Sequence, residues 1–281
     1  MMRSGFLLVC ILGLASVAQA DFAVLASSNV SVTDAFEGNF LDSQTSTTDH
    51  FPDAAMPMSA ASSLAIGAFE AADGDATTTF ARLHAHSSAS AGGVGGVATG
   101  EGESRVNDTL YVESSTLANG TPVSLSVEFD LAVDFSPPAV FDSPIDGSVH
   151  ASFFASPTRT GGGLHLDYLY DASGPAFTGR PLLSGTMAAQ VGDLIPLDYY
   201  TRTHALVSRS QEEQPGASTS ATLNGSVGIT VDEATPDVTL IADSGYDYTQ
   251  TVPEPSAAAS LGAALIGLLG VGVVRVGRRR V

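Results

Sequence analysis

The residues in this sequence best suited to chemistry are two histidines spaced two apart, His84 and His86. Side chains at i and i+2 of a β-strand point to the same face, so the two imidazoles would lie side by side. Such a pair forms one edge of a metal site, which needs further His, Cys or carboxylate ligands. The third ligand would have to come from His50, His150, His165 or a distant acid. Two half-exposed strand histidines are the simpler interpretation, and we assign no metal ligand.

Two short acidic segments, Ala72–Asp75 and Asp243–Asp247, are typical of turns. Ca²⁺ takes six to eight oxygen ligands, and turn carboxylates are a common source of them. Neither segment has the spaced Asp pattern and distal Glu of an EF-hand loop. Aspartate as a turn former is therefore the default interpretation. We predict no cofactor, with Ca²⁺ as the one ion that such turns could bind.

Glu128 and Asp130 would share one strand face with their side chains about 6–7 Å apart, a separation that glycosidases use. An acidic solvent-facing strand explains the pair equally well. The chain contains no lysine, which excludes a Walker A loop, a Schiff-base lysine and a Ser–Lys pair. It also contains no Gly-x-Ser-x-Gly elbow and no His-Glu-x-x-His motif. We predict no catalytic residue and no enzyme activity.

The strand that carries Glu128 is the clearest element of the sequence. Every odd position of 123–135 is apolar and every even position except Ala132 is polar, which predicts a strand with one buried face. The turn signal Asn119-Gly120 precedes it, so we predict a hairpin with a strand over 109–115. This pair is the predicted centre of the fold.

Further strands are predicted from alternation between turn signals. They cover 149–155, 164–170, 182–191, 194–207, 222–231, 238–242 and 246–252, with shorter ones near 22–32 and 64–86. Asp42–Asp49 is predicted to be a loop. Ser87–Gly102, rich in Ser, Ala and Gly, is predicted to be either a loop or a strand packed tightly against a neighbour. We predict a mainly β protein, an antiparallel β-sandwich or jelly roll, with helix confined to the two termini.

The charge is strongly negative. Between residues 21 and 251 there are 29 acids against six arginines, so 29 − 6 gives about −23 with neutral histidine. Such a surface repels nucleic acid and anionic polymers, and we predict no nucleic-acid partner. The only cysteine is Cys10, and tryptophan is absent. A chain processed after residue 20 would therefore contain no disulfide.

The N-terminal 20 residues read as a signal peptide. Arg3 is followed by the apolar run Phe6–Ala15 and by a small-x-small cleavage site at Ala18 and Ala20. We predict residues 21–251 as the exported domain.

Residues 252–281 have the pattern of a membrane segment flanked by distinct motifs on both sides. Pro253, Glu254 and Pro255 precede an uncharged run, Ala257–Val274, which at 1.5 Å per residue covers about 27 Å. We predict a transmembrane helix over 257–276. Four arginines then act as a topology stop that keeps this end cytoplasmic: Arg275, Arg278, Arg279 and Arg280.

This tail resembles the PEP-CTERM sorting signal, because Pro-Glu-Pro, a small-residue hydrophobic helix and a terminal arginine cluster follow one another in order. The resemblance covers about a tenth of the chain. It implies processing by an exosortase, a membrane-embedded enzyme of bacteria that make exopolysaccharide. An ordinary C-terminal membrane anchor is the alternative.

From these features we predict an exported protein, held in the inner membrane as a precursor and then delivered to the cell surface or outside. Its predicted role is structural or adhesive within an exopolysaccharide or biofilm matrix. The alternative is a secreted carbohydrate-binding or hydrolytic jelly-roll domain. A groove lined by acids and by Tyr168, Tyr170, Tyr199 or Tyr200 would favour the alternative.

Overall fold

Alternation of small or apolar residues with polar ones places most of the chain in β-strands. The computed structural model describes residues 23–34, 39–50, 58–66, 70–80, 82–91, 96–136, 145–171, 176–208, 217–232 and 237–249. For some of these, including 39–50, it describes the backbone alone. The described strands, in chain order, are β1 (Ala23–Asp34), β2 (Asn39–His50), β3 (Met58–Ile66), β4 (Glu70–Thr78), β5 (Leu83–Ala91), β6 (Gly96–Ser114), β7 (Pro122–Ser136), β8 (Ile145–Ala155), β9 (Leu164–Asp171), β10 (Phe177–Gly179), β11 (Leu182–Gln190), β12 (Leu194–Ser208), β13 (Ala217–Val231) and β14 (Val238–Ala242).

These strands form two antiparallel sheets of seven strands each. The first sheet has the order β2-β1-β6-β12-β8-β9. β14 pairs with the C-terminal end of β6, beyond the part of β6 that pairs with β1. The second has the order β10-β7-β13-β5-β4-β3, and β11 continues from β10 along β7. The sheets pack face to face, which confirms the predicted β-sandwich.

Strands β5 to β13 wind as a jelly roll. The pairs β5·β13, β6·β12, β7·β11 and β8·β9 alternate between the second and the first sheet. One antiparallel ribbon is thus wrapped around the core, which is how a jelly roll is built. Strands β1 to β4 extend both sheets beyond this ribbon on the same side.

The predicted hairpin of 109–115 with 123–135 is wrong, although both strands exist. β6 and β7 lie in different sheets, and the segment between them crosses the end of the sandwich. Gly120, at φ 88°, makes the turn that its sequence predicted. The amide of Gly120 donates to the carbonyl of Val191 on the β11–β12 crossover, and Gly192 N–H donates to Val112 C=O. The two crossovers therefore hold each other.

The core changes character along the sandwich. One part is filled by large side chains that are fully buried, among them Phe129, Phe135, Phe153 and Tyr199. The other part is lined by Ala, Ser, Thr and Gly from β1 and β3 to β6. There a Cβ on Gly102 would lie 2.5 Å from the carbonyl oxygen of Asp75, in the facing sheet. The two sheets touch through their backbones at this place.

This close approach decides between the two predictions for Ser87–Gly102. β5 continues to Ala91 and β6 begins at Gly96, so the segment is strand on both sides of 92–95, which lie outside the described residues. A Cβ on Gly100 would overlap the carbonyl oxygens of Asp73 and Ser88. The small residues are there because the facing sheet leaves no room for larger ones.

Three local predictions are wrong. Asp42–Asp49 lies within β2, because a polar edge strand can satisfy its backbone by pairing with β1 despite its low strand propensity. Ala72–Asp75 lies within β4, with Asp73 and Asp75 on the outer face. The described part of 246–252 is turn and irregular chain, since Ser244 and Tyr248 hydrogen-bond to Asp108 of β6.

Residues 1–22 and 250–281 lie outside the described residues, and so do the predicted signal peptide and sorting tail. Within the described ranges, no helix has the length and apolar character needed to cross a bilayer.

Candidate functional site

The candidate site is a cleft of about 570 Å³ on the outer face of the second sheet. It crosses three strands in one row, where register places His84 of β5 beside Asn224 of β13 and Asn224 beside Ala132 of β7. Arg180 stands beyond Ala132, at the break between β10 and β11. Three interstrand spacings of about 4.8 Å separate the two walls by about 14 Å.

The floor is low because the residues on it are small. Ala132, Gly225 and Ser226 lie between taller side chains on either side. Gly225 is glycine for a different reason, because a Cβ there would point into the core and lie 2.6 Å from the ring of Phe129. The volume falls within the range of roughly 300–1,000 Å³ that is usual for small-molecule sites.

His84 forms one wall and is held on both sides of its ring. Nδ1 lies 2.8 Å from Oδ1 of Asn224, and Nε2 lies 3.1 Å from Oδ2 of Asp75. Both partners are oxygens that accept, so the ring is best satisfied as an imidazolium that donates twice. The hydrogen bond that His84 donates to Asp75, aided by the one to Asn224, raises the pKa of His84, while partial burial opposes the rise. The same hydrogen bond lowers the pKa of Asp75.

The opposite wall carries a second fixed charge pair. Arg180 Nη2 donates to Asp130 Oδ2 at 3.1 Å, and both side chains are about half exposed. Arg82 lines the cleft near His84, where the turn Thr79–Arg82 opens into β5. Two guanidinium groups and an imidazolium thus border one cleft on a protein whose formal net charge is −19.

The spacing of His84 and His86 allowed one edge of a metal site, for which the sequence offered no third ligand nearby. Both histidines are half-buried on the outer face of β5, as the spacing predicted. His84 has both ring nitrogens engaged, and Nδ1 of His86 lies 2.9 Å from the hydroxyl of Thr222. Phe80 lies in the turn that precedes β5 and is buried. Within the described ranges, no group of three or more His, Cys, Asp or Glu side chains could hold a metal ion.

The acidic segment at 243–247 is a turn, as predicted, with Gly245 at φ 74°. The carboxylate of Asp247 is engaged within the protein. Asp247 accepts hydrogen bonds from the amide and the hydroxyl of Thr249, and Ser244 bonds to Asp108.

The carboxylate pair of Glu128 and Asp130 lies on the outer face of β7. Asp130 is bound to Arg180, while Glu128 is exposed on the same face.

A buried polar cluster lies under that turn. Asp108 is 2 % exposed and accepts from the amide of Thr109, the amide and hydroxyl of Ser244, and the phenol of Tyr248. Burial raises the pKa of Asp108, and these hydrogen bonds oppose the rise. The cluster pins the last described segment of the domain to β6.

The outer face of the first sheet carries a second group of polar and aromatic side chains. Register places Arg105, Tyr200, Ser152 and Asp167 in one row across β6, β12, β8 and β9. The phenol of Tyr200 lies 3.2 Å from Nδ1 of His150, whose Nε2 lies 2.8 Å from Asp167.

The four tyrosines named from the sequence do not line one groove. Tyr199 is fully buried and donates to the carbonyl of Phe80 at 2.6 Å. Tyr168 and Tyr170 pack against the core from the inner side of β9. Only Tyr200 of the four lies on an outer face, across the sandwich from the cleft.

Sequence reasoning missed the cleft because its residues come from distant parts of the chain and match no motif. One signal was available, since Arg180-Pro181 interrupts an edge strand and arginine is scarce in this domain. The predicted sorting residues Pro253, Glu254 and Pro255, the arginine stop and the cleavage residues Ala18 and Ala20 lie outside the described residues.

No family model and no curated protein matches this chain. Among solved structures, it aligns at 8 % identity and a TM-score of 0.21 with a carbohydrate-binding module of the β-sandwich superfamily, over 76 % of this chain and 86 % of that one. It also aligns at 8 % identity and a TM-score of 0.16 with the infectious bursal disease virus Gx strain structure, over 89 % of this chain and 72 % of that one. At such TM-scores neither alignment bears on function.

Proposed function

We propose that residues 21–251 form a non-catalytic, exported polysaccharide-binding domain that contributes adhesion within an exopolysaccharide matrix. The cleft between His84 and Arg180 is the binding site, and an acidic sugar unit is its ligand. The observation that carries this proposal is the gathering of Arg82, His84 and Arg180 around one open cleft.

The chemistry of the walls favours a carboxylate. Guanidinium groups bind carboxylates through two parallel N–H···O bonds, and such charge-assisted bonds are about twice as strong as neutral ones. Asn224 and Ser226 on the floor can exchange hydrogen bonds with sugar hydroxyls. A uronate ring offers both groups.

The negative charge of the whole protein does not forbid this ligand. At physiological ionic strength the screening length is about 8 Å, so a bound carboxylate senses mainly the groups lining the cleft. The remaining acidic surface opposes long-range approach, and weak, multivalent binding suits a matrix component.

Delivery belongs to the same proposal. The signal peptide exports the chain, and the tail 252–281 holds a precursor in the inner membrane until an exosortase-type enzyme processes it. The protein then reaches the cell surface or the surrounding matrix.

The binding test uses the full chain in mild detergent, titrated calorimetrically with oligogalacturonate. Arg180→Ala should weaken binding about tenfold, the loss expected for one charge-assisted hydrogen bond. Arg159→Ala is the matched control, because it removes the same charge from an exposed arginine that does not line the cleft. Equal affinities for wild type and Arg180→Ala would refute the cleft as the site.

A second candidate, a hydrolase acting through Glu128 and Asp130, receives less support. Asp130 is already engaged by Arg180, which favours a role in holding the cleft wall. Release of reducing ends from polygalacturonate by the wild-type chain would favour the hydrolase instead.

A further inference from the structure

We infer that the outer face of the first sheet is a second saccharide surface, which stacks an uncharged sugar ring on Tyr200 and Phe154. The two faces would then let one molecule bridge two polysaccharide chains. This goes beyond the proposed cleft, since it concerns a different sheet, different residues and a different ligand charge.

The surface is aromatic where a soluble protein would normally be polar. Phe154 is 46 % exposed and Leu169 is 62 % exposed on neighbouring strands β8 and β9. Tyr200 is half-buried on β12, and its ring meets that of His150 edge to face at 5.1 Å between centroids. Aromatic faces bury large apolar area against the C–H groups of a flat ligand at little conformational cost.

The rings are fixed in place before any ligand arrives. Ser152 faces outward yet is only 8 % exposed, which indicates that the taller side chains around it cover it. Its hydroxyl lies 3.2 Å from Nε2 of His165, whose ring packs edge to face with Phe154. On the other side, Arg105 lies over the Tyr200 ring at 5.9 Å from its centroid. Side chains held this way lose little freedom on binding.

Carboxylates at the rim can accept from sugar hydroxyls. Asp167 is oriented by His150, and Asp198 is held by two N–H groups of Arg105. Each ionised carboxylate has about four acceptor positions, so one strong partner does not exhaust it. Planar acceptors beside an exposed ring suit the alternating hydroxyl and C–H surfaces of a pyranose.

The charge of this face selects a neutral ligand. Along β6 and β12 the outward acids Glu101, Glu103 and Asp198 outnumber the arginines Arg105 and Arg202. A uronate would be repelled here, whereas the cleft on the opposite face has three cationic groups, Arg82, His84 and Arg180, against the carboxylates of Asp75 and Asp130. The core separates the two faces, so a sugar unit bound on one side cannot reach the other.

A sandwich assay with the full chain in mild detergent tests the inference. Polygalacturonate is immobilised, the protein is added, and fluorescent hydroxyethylcellulose is then offered as the neutral probe. Wild type should capture the neutral glucan. Phe154→Ala and Tyr200→Ala should each reduce capture at least fivefold while retention on polygalacturonate is unchanged. Ile241→Ala is the matched control, because Ile241 is equally exposed at 46 % and lies on β14 away from these rings.

The outcomes separate this inference from the proposed cleft. Retention on polygalacturonate without glucan capture by wild type would overturn the second surface and leave the cleft intact. Glucan binding in solution without retention on polygalacturonate would overturn the cleft and leave the second surface intact. If light scattering finds wild type dimeric and Phe154→Ala monomeric, the face is an interface between copies and the inference is wrong. Circular dichroism checks that each variant is folded.

Discussion

The phenol of Tyr248 donates to Oδ2 of Asp108 at 2.9 Å inside the protein, joining residues 140 positions apart in sequence. Tyr248 also lies 3.1 Å from the phenol oxygen of Tyr199, which donates to the carbonyl of Phe80. Three contacts in this series share two phenolic protons.

Removing the Tyr248 hydroxyl should destabilise the domain. In Tyr248→Phe the buried carboxylate loses one of its four donors, and a hydrogen bond to a charged group contributes about 1.5–3 kcal/mol. We expect the free energy of unfolding, measured by urea denaturation, to fall by about that amount. Tyr246→Phe, at a half-buried tyrosine in the same segment, is the control and should change it by less than about 0.5 kcal/mol. Equal effects of the two variants would show that the Asp108 contact contributes nothing.

Asp108 should make stability depend on pH in a direction opposite to that of most carboxylates. Because its folded-state pKa is raised, the folded protein binds more protons than the unfolded chain between the two pKa values. The free energy of unfolding should therefore fall as pH rises from about 3.9 through the folded pKa. Asp108→Asn removes this titration. The stability of the variant relative to wild type should improve with rising pH across that window, and a pH-independent difference would contradict the assignment.

The close contact of the two sheets should make Gly102 intolerant of any side chain. In Gly102→Ala the new Cβ would lie 2.5 and 2.6 Å from the carbonyl oxygens of Asp75 and His86, both backbone atoms. Overpacking of this kind costs about 1–3 kcal/mol or more. Gly228→Ala is the control, since nothing lies within 4 Å of a Cβ there. Thermal unfolding should separate the two variants by several degrees, and a Gly102→Ala melting temperature equal to that of the control would refute backbone contact.

Binding in the cleft should weaken as pH rises. Asp75 raises the pKa of His84, so the imidazolium persists above the usual range and is lost as pH passes that pKa. Arg82 and Arg180 keep their charge throughout and Asp130 stays beside Arg180, so His84 sets the slope. Calorimetry between pH 5.5 and 8.5 should show falling affinity for oligogalacturonate in wild type and a flat profile in His84→Gln. His165→Gln, on the other face, should keep the wild-type slope.

The tail prediction can be tested by intact mass spectrometry of the protein from its native host. We expect an N-terminus at Asp21 and loss of the segment after Pro-Glu-Pro. Because proline disfavours helix at and just before its own position, we expect Pro253→Ala with Pro255→Ala to leave the tail attached. Ser256→Ala is the control. A wild-type mass that still includes 252–281 would contradict processing.

Alternation in sequence predicted which residues are buried far better than it predicted which strands are neighbours. Val123–Phe135 is the strand that its pattern required, with every odd position buried. Its partners β13 and β11 were not predicted, because a period of two says which face is buried and is silent about the edges. β2 escaped prediction because an edge strand rich in Ser, Thr and Asp has no alternation to detect.

Local sequence patterns could not predict the candidate site, for a related reason. His84 was noticed through its neighbour His86, yet its actual partners, Asp75 and Asn224, lie on the strands to either side. Arg180 reaches the same cleft from a fourth strand region. Rows of side chains across a sheet are set by register, and register depends on the whole fold.

The winding of the ribbon delays folding during synthesis. Leu83 pairs with Gly225, so the central ladder of the second sheet joins segments about 140 residues apart. Such non-local pairing is slow, because the entropy of closing a long loop is lost before any contact compensates for it. Until residue 225 has left the ribosome, β5 has no partner on that side. The chain should therefore remain unfolded for most of its synthesis, which is the condition in which a nascent protein can still be threaded across a membrane.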